Sequence, residues 1–399
     1  MTNSTARKVI PRSIWALGLT SLFMDASSEL IHSLLPVLMV SKLGASMILV
    51  GVVEGVAEST ASITKIFSGT ISDYMRKRKV LVVIGYGLAL ITKPLFPLAN
   101  SMAVVVAARF IDRIGKGIRG APRDALIGDI APPEVRGASF GLRQSLDTIG
   151  AFMGPLLAIG GMLLFANDIT TVLWIAVIPA AIAVAILVFG VKEPETHRTL
   201  NTEVPSLQLR DLRNVGPAYW QLVAVAGLLT LARFSEAFLI LKAQSTGLPI
   251  LLVPMVMVVM NIAYALAAYP AGKLSDTIDR RRVLLIGLVM LIAADLVLGF
   301  GENLWMLGLG VTLWGLHMAF TQGLLAAMVA DTTPTELRGT AYGVFNFVCG
   351  IAMLVASVLA GALWDSFGAS TTFFAGAGIS AVSLLGLLFV YRRSVRTSN

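Results

Sequence analysis

Apolar residues run through the chain in long stretches, near 13–41, 47–68, 80–99, 101–130, 137–166 and 170–191, and again near 217–243, 250–271, 283–300, 304–331, 339–365 and 370–390. An α-helix needs roughly 20 apolar residues to cross the hydrocarbon of a bilayer, and these stretches are about that long or longer. None shows the ten-residue alternation of an outer-membrane barrel. Helices are then the remaining way to satisfy the backbone in lipid, so the pattern predicts an all-α membrane protein of twelve transmembrane helices. Punctuation between the stretches is short, except from Lys192 to Asn214, where Glu193, Pro194 and Glu195 open the longest polar segment. That segment predicts a linker over 192–215 joining a six-helix bundle over 1–191 to another over 216–399.

Composition agrees with a lipid solvent. Hydrophobic residues make up 56% of the 399 and charged residues only 14%, against about 25% charged in soluble domains. The net charge of +8 raises nucleic acid as a partner, but the basic residues cluster between apolar stretches, as they do where they orient membrane helices. Arg7, Lys8 and Arg12, the run Arg76 to Lys79, Arg136, Lys192, Lys273, the triplet Arg280 to Arg282, Arg338, Arg392 and Arg393 all fall at the termini or in even-numbered connections. The expectation is a multi-pass protein of a cell's inner membrane with both termini in the cytoplasm, bound to lipid and not to nucleic acid. Cys349 is the only cysteine, which leaves neither a disulfide framework nor a thiolate metal cage. No small-residue cleavage site follows the first apolar stretch, so it reads as a retained helix.

Two motifs repeat in register. Gly69, Ser72 and Asp73 followed by Arg76 to Lys79 recur as Gly272, Ser275 and Asp276 followed by Arg280 to Arg282, 203 residues later. Asp129, Pro132, Glu134, Arg136 and Gly137 recur as Asp331, Pro334, Glu336, Arg338 and Gly339, 202 residues later. A duplicated unit predicts two pseudo-symmetric bundles, one of the plans on which transporters are built. Over essentially its whole length the chain resembles the major facilitator superfamily. The superfamily's cytoplasmic loop signature is matched by Gly69, Asp73, Lys77 and Arg78 and again by Gly272, Asp276, Arg280 and Arg281, with Arg76 and Asp279 standing where a second glycine is usual. The resemblance implies alternating access and a gate in which Asp73 meets the helix starting near Arg338 and Asp276 the one starting near Arg136, each carboxylate set against a helix's positive end.

Ionisable residues inside a span are costly and mark function by default. Asp25, Glu29 and His32 share a face of the first span, Glu54, Glu58 and Lys65 a face of the second, and Arg143 and Asp147 lie one turn apart in the fifth. In the fourth, Arg109, Asp112, Arg113, Lys116, Arg119 and Arg123 fall within about 120° of the helical wheel. Such a basic stripe is expected to meet the acids of spans one, two and five or to line water, with Arg119 and Arg123 reaching the membrane interface. The second half carries fewer: Arg233, Glu236, Asp295 and His317, with Glu236 the counterpart of Glu29. Met255, Met257, Met260 and Tyr264 offer it an adaptable apolar wall. Arg113 to Ala121 resembles the superfamily's fourth-helix motif, which implies proton coupling through Arg113, with Lys116 in place of the usual glutamine. Gly150, Gly154 and Pro155, followed by Gly160 and Gly161, resemble the glycine–proline motif of its antiporters.

The leading expectation is a proton-coupled antiporter that exports a small organic solute or drug, working as a monomer without a cofactor. Asp25, Glu29 and His32 as ligands of a divalent cargo metal, and the basic stripe as receiver of an anionic or metal-chelate cargo, are the alternatives of the same fold. Three histidines, one cysteine and no nucleotide or nucleophile motif leave little from which to build an enzyme, and no loop supplies the cytoplasmic module of a sensor.

Overall fold

The fold is described from a computed structural model, which covers residues 10–75, 77–193, 216–334 and 337–397. The first half holds α1 (Arg12–Val37), α2 (Met47–Met75), α3 (Arg78–Thr92), α4 (Met102–Ile130), α5 (Arg136–Leu164), α6 (Ile169–Ile175) and α7 (Val177–Gly190). The second holds α8 (Pro217–Ala232), α9 (Ala237–Ser245), α10 (Met255–Thr277), α11 (Arg280–Phe300), α12 (Leu304–Thr332), α13 (Arg338–Phe367) and α14 (Ala369–Thr397). There are more helices than expected spans because two spans are broken, the sixth at Ala176 between α6 and α7 and the seventh between α8 and α9, so the unbroken helix expected over 217–243 is not formed.

Among the described residues ten helical segments are long and apolar enough to cross a membrane on those grounds alone. The two spans outside that set are α3 and α4. The first is a helix of 15 residues finished by a 3-10 turn through Lys93–Leu95, and the second carries the basic stripe. Both are sheltered: α3 packs on α4 and α7, and α4 on α2. Such helices enter the bilayer because protein, not lipid, meets their polar faces.

The duplication is visible in the packing. In the first half α1 packs on α5 and α7, α2 on α4, and α3 on α4 and α7; in the second α8 packs on α13 and α14, α10 on α12, and α11 on α12 and α14. These are the same pairings with α8 in the place of α1, giving two six-helix bundles of one design. The bundles meet along three seams, α2 with α13, α5 with α10, and α1 with α9. At the first seam Gly51 and Gly55 bring the backbones together, since a Cβ on Gly55 would lie 2.9 Å from the Leu354 Cα, the small-residue packing that lets membrane helices approach closely.

One end of the molecule is sealed. An apolar core runs through both halves there, from Leu34, Leu35 and Leu38 to Phe238, Val253 and Leu298. It includes a cluster of rings in which Phe234 packs on Phe238, Trp314 and Phe373, with Trp364 beside Phe238 and Phe373. At the same end the Asp365 carboxylate of α13 accepts hydrogen bonds from the Met47 and Ile48 amides, at 3.0 and 2.9 Å. A carboxylate from one bundle thus meets the positive start of α2 in the other.

Candidate functional site

Away from the sealed end the bundles part around a cavity of about 520 Å³. Residues beyond the midpoint of α2 and α4 line it, including Ser62, Lys65, Arg119 and Arg123, so it opens toward the end that carries the two repeated loop motifs. A deeper lobe of about 210 Å³ shares Glu29, Glu58, Lys116, Asn261 and Gln322 with it and reaches His32, Arg113, Arg233, Glu236, Met257 and Met260. The first half supplies nearly all the charge, and the second supplies Tyr264, methionines and amides.

Glycines set the shape of the charged wall. The α5 backbone lies directly against α1 because Gly150 and Gly154 have no side chain; a Cβ on Gly154 would come within 2.6 Å of the Ala26 carbonyl oxygen and 2.8 Å of the Glu29 Cβ. This contact carries Asp25 and Glu29 to the crevice beside Asp147, in the stretch that the antiporter-like motif singled out.

The charges in this wall are mostly paired. Arg109 Nη2 donates to Glu54 Oε2 at 2.6 Å, both side chains being closed off from solvent. His32 links that pair to the crevice, its Nδ1 3.2 Å from Glu29 and its Nε2 3.7 Å from Glu54. Arg113 Nη1 sits 2.9 Å from Glu58, and Arg143 Nη1 2.5 Å from Asp147. Arg123 Nε lies 3.3 Å from Asp124, and its Nη1 donates to Ser21 at 2.9 Å and lies 3.9 Å from Asp147. Asp112 faces away from the crevice and accepts from the Lys93 ammonium at 2.9 Å, while Lys93 also donates to Ser28 at 3.0 Å. Sequence reasoning missed Lys93, which lies inside the third apolar stretch; its position opposite a buried aspartate has no local signature.

Arg119 and Arg123 do not reach the interface as expected. Arg119 is 4% exposed and stacks over the Tyr86 ring at 4.6 Å from its centroid, and Arg123 also reaches the Tyr86 hydroxyl, at 3.4 Å. The reason is that α3 closes over this face of α4. By contrast Lys116 and Lys65 stand exposed in the crevice without an ion pair, and half-buried Asp25 lacks one too. In the second half Arg233 and Glu236 lie at the break between α8 and α9, 3.3 Å apart, on the deeper lobe. Asp295 and His317 do not join them. Asp295 is fully buried where α11 meets α14 at Gly376, and His317 donates to the Gly287 carbonyl at 2.9 Å. Met257 and Met260 line the lobe, whereas Met255 is exposed away from it. Among the described residues no three His, Cys, Asp or Glu side chains converge as a metal site, so Asp25, Glu29 and His32 do not gather as one ligand set.

The loop motifs act within each half. Arg78 donates to Asp129 at 2.5 Å and to the Ala125 carbonyl at 3.0 Å, and its repeat counterpart Arg280 donates to Asp331. The two repeated motifs are therefore partners: the basic residue of the first clamps the acid of the second. Gly69 lies near Ala121, and Lys77 caps α3. The side chains of Asp73 and Asp276, like Arg76, Glu336 and the linker beyond residue 193, lie outside the described residues, and with them the expected cross-half gate.

The profile described as Major Facilitator Superfamily matches residues 17–254 and 237–399. The chain belongs to the major facilitator superfamily. As a member it is a multi-pass membrane transporter, and its two six-helix bundles with a crevice between them are the superfamily's fold. Over 395 residues it is 31% identical to an uncharacterized MFS-type transporter of Methanocaldococcus jannaschii, covering 97% of each chain. A tetracycline resistance protein, class B, of Escherichia coli is 33% identical over 126 residues, 32% of this chain and 31% of that one. Among solved structures, the nucleoside transporter NupG superposes with a TM-score of 0.79 at 15% identity, covering 94% of this chain and 98% of the other, which speaks for the fold alone.

Proposed function

We propose that this transporter exports a small organic solute in exchange for protons, with Asp25 as the group that carries the proton. The observation behind the reading is the pairing pattern of the crevice: Glu29 sits with His32, Glu58 with Arg113 and Asp147 with Arg143, while Asp25 faces the same space with no ion pair. A carboxyl that must gain and lose a proton in each cycle is best left free of a permanent cation. Export is supported by the similarity of about a third of the chain to a tetracycline resistance protein and by the glycine-lined contact of α5 with α1.

In this scheme both termini and the repeated loops lie on the cytoplasmic side of an inner membrane, in line with the distribution of basic residues, and the crevice faces inward. The units are 1–191 and 216–399, joined by the linker 192–215, and one chain is a complete carrier. Solute enters from the cytoplasm as Asp25 gives up its proton. Rocking of the bundles about the α2–α13 and α5–α10 seams then closes the loop end and opens the aromatic seal. Outside, a proton on Asp25 displaces the solute and the empty carrier returns. Arg113 and Arg109 keep their acid partners throughout and hold the wall rigid.

The test uses proteoliposomes with a trapped pH indicator and tetracycline as the first probe, followed by a panel of small organic solutes. Solute-dependent proton flux is expected in the wild type, absent in Asp25→Asn, and strongly reduced in Glu29→Gln and Arg113→Ala. Flux of equal size in wild type and Asp25→Asn overturns the assignment.

A further inference from the structure

Once the crevice's internal ion pairs are set aside, its free charges have a definite arrangement. Among the described residues three cations of the crevice have no acid within ion-pair distance: the exposed ammoniums of Lys65 and Lys116, and the guanidinium of Arg119, whose buried Nη1 has no hydrogen-bond partner. Lys65 and Lys116 are close. The Lys65 side chain lies 3.6 Å from where a Cβ on Gly120 would stand, one helical turn along α4 from Lys116. Two like charges on neighbouring positions repel, and holding them together over a space of about 520 Å³ favours an anion between them.

Among the described carboxylates that line the crevice, the one without an ion pair is Asp25, on α1 of the same half. The charges that act on it are Lys116, Arg119 and Arg123 from α4 and Asp147 from α5, of which Arg123 and Asp147 already have contacts of their own. A cargo that is only a cation would meet Asp25 but also three uncompensated positive groups. One that is only an anion would satisfy the lysines yet have no reason to exchange with a proton on Asp25, because removing negative charge from Asp25 makes the site more, not less, receptive to it. Both demands are met by a solute with an acid at one end and a protonated amine at the other. The facing wall suits its body: Tyr264 with the amides of Asn261, Gln322 and Asn346, and Met257 and Met260 deeper in.

We infer that the cargo is a zwitterionic organic solute whose carboxylate or phosphate is held by Lys65, Lys116 and Arg119 and whose ammonium replaces the proton on Asp25. The class rests on the proton-exchange reading for the role of Asp25, and on the crevice's free cations for the rest. Exchange follows from competition: the ammonium and the proton occupy the same carboxylate, so one leaves as the other arrives.

The experiment is binding to the purified full chain in weakly buffered detergent, read by thermal shift and by a pH indicator. Matched sets are used in which one scaffold bears the acid, the amine or both: 3-phenylpropionate, phenethylamine and phenylalanine, and bulkier aromatic sets of the same design. The zwitterion is expected to bind about tenfold or more tightly than either singly charged member, the factor a charge-assisted hydrogen bond commands, with release of a proton. Lys116→Gln and Lys65→Gln should remove its advantage over the amine, and Asp25→Asn its advantage over the acid together with the proton release; unliganded melting of each variant close to wild type shows that it is folded. Zwitterion preference that depends on Lys116 but releases no proton would keep the cargo class and sink the exchange. Proton release by the amine alone, unchanged in Lys116→Gln, would keep the exchange and overturn the cargo class. Equal binding of all three members, or of none in any set, overturns the inference.

Discussion

Glu54 is a carboxylate with no solvent contact at all. Its second oxygen, Oε1, has no partner, so Arg109 at 2.6 Å and His32 at 3.7 Å are what make its burial tolerable. Removing one partner of such a pair strands the other charge, at a cost of roughly 3–5 kcal/mol, whereas replacing both by apolar groups of like volume is often neutral. The expected outcome is therefore asymmetric: Arg109→Met and Glu54→Leu each lower the melting temperature in detergent sharply, and the double variant recovers most of the loss. Equal and additive losses would mean that the two residues are not coupled. The same comparison bears on transport, because His32 connects this pair to Glu29 and so to the crevice. Of the residues involved, Glu54, Arg109, His32 and Glu29 stand out in the sequence as ionisable groups inside spans. Which acid meets which base does not, since it depends on how α2 and α4 are rotated against each other.

At the level of elements, the sealed end depends on a contact that hydropathy does not reveal. Asp365 ends the eleventh apolar stretch and looks like an ordinary boundary residue, yet it receives the first amides of α2 from the other bundle. A carboxylate at a helix start contributes about 0.3–1 kcal/mol where exposed, enough to shift a two-state equilibrium by roughly two- to fivefold. On a Cys349→Ala background, a cysteine placed at Ala360, which is buried in the sealing core at 2% exposure, is expected to react with a water-soluble maleimide about two- to fivefold faster when Asp365 is changed to Asn. Unchanged labelling would show that the apolar core alone holds this end shut. The expected gate through Asp73 and Asp276 used the same physics at the opposite end. Span positions were legible because lipid imposes a length and a composition on every helix that touches it. The break at residues 233–236 was not, as it lacks proline and glycine: Arg233 takes an extended conformation and the Ser235 side chain accepts the Ala237 amide at 3.2 Å to restart the helix. Polar residues serve there as a local cap, and a window average reads them as a minor dip in one continuous span. The inward fold of Arg119 was hidden for a related reason, because only the packing of α3 decides whether a long basic side chain turns toward protein or toward the interface.

In the proposed exchange cycle the duplication has a mechanical part across the whole molecule. Rocking two bundles requires that each stay rigid while the seams between them slide, and the repeated motifs provide one brace per bundle, Arg78 with Asp129 and Arg280 with Asp331. The braces are equivalent in position but not in environment. The first pair is largely shielded, its side chains 14% and 21% exposed, while the second stands at 32% and 57%. A charge-assisted hydrogen bond in a sheltered site is worth about 1.5–3 kcal/mol, and an exposed ion pair about 0–1 kcal/mol. Asp129→Asn should therefore lower the melting temperature in detergent clearly, and Asp331→Asn by little or nothing. Because the pairs sit in different bundles, the double variant is expected to show the sum of the single losses to within about 0.5 kcal/mol. A loss well beyond the sum would mean that the bundles do not behave as separate rigid bodies. In that event rocking about the α2–α13 and α5–α10 seams would have to give way to a motion in which helices bend within each half.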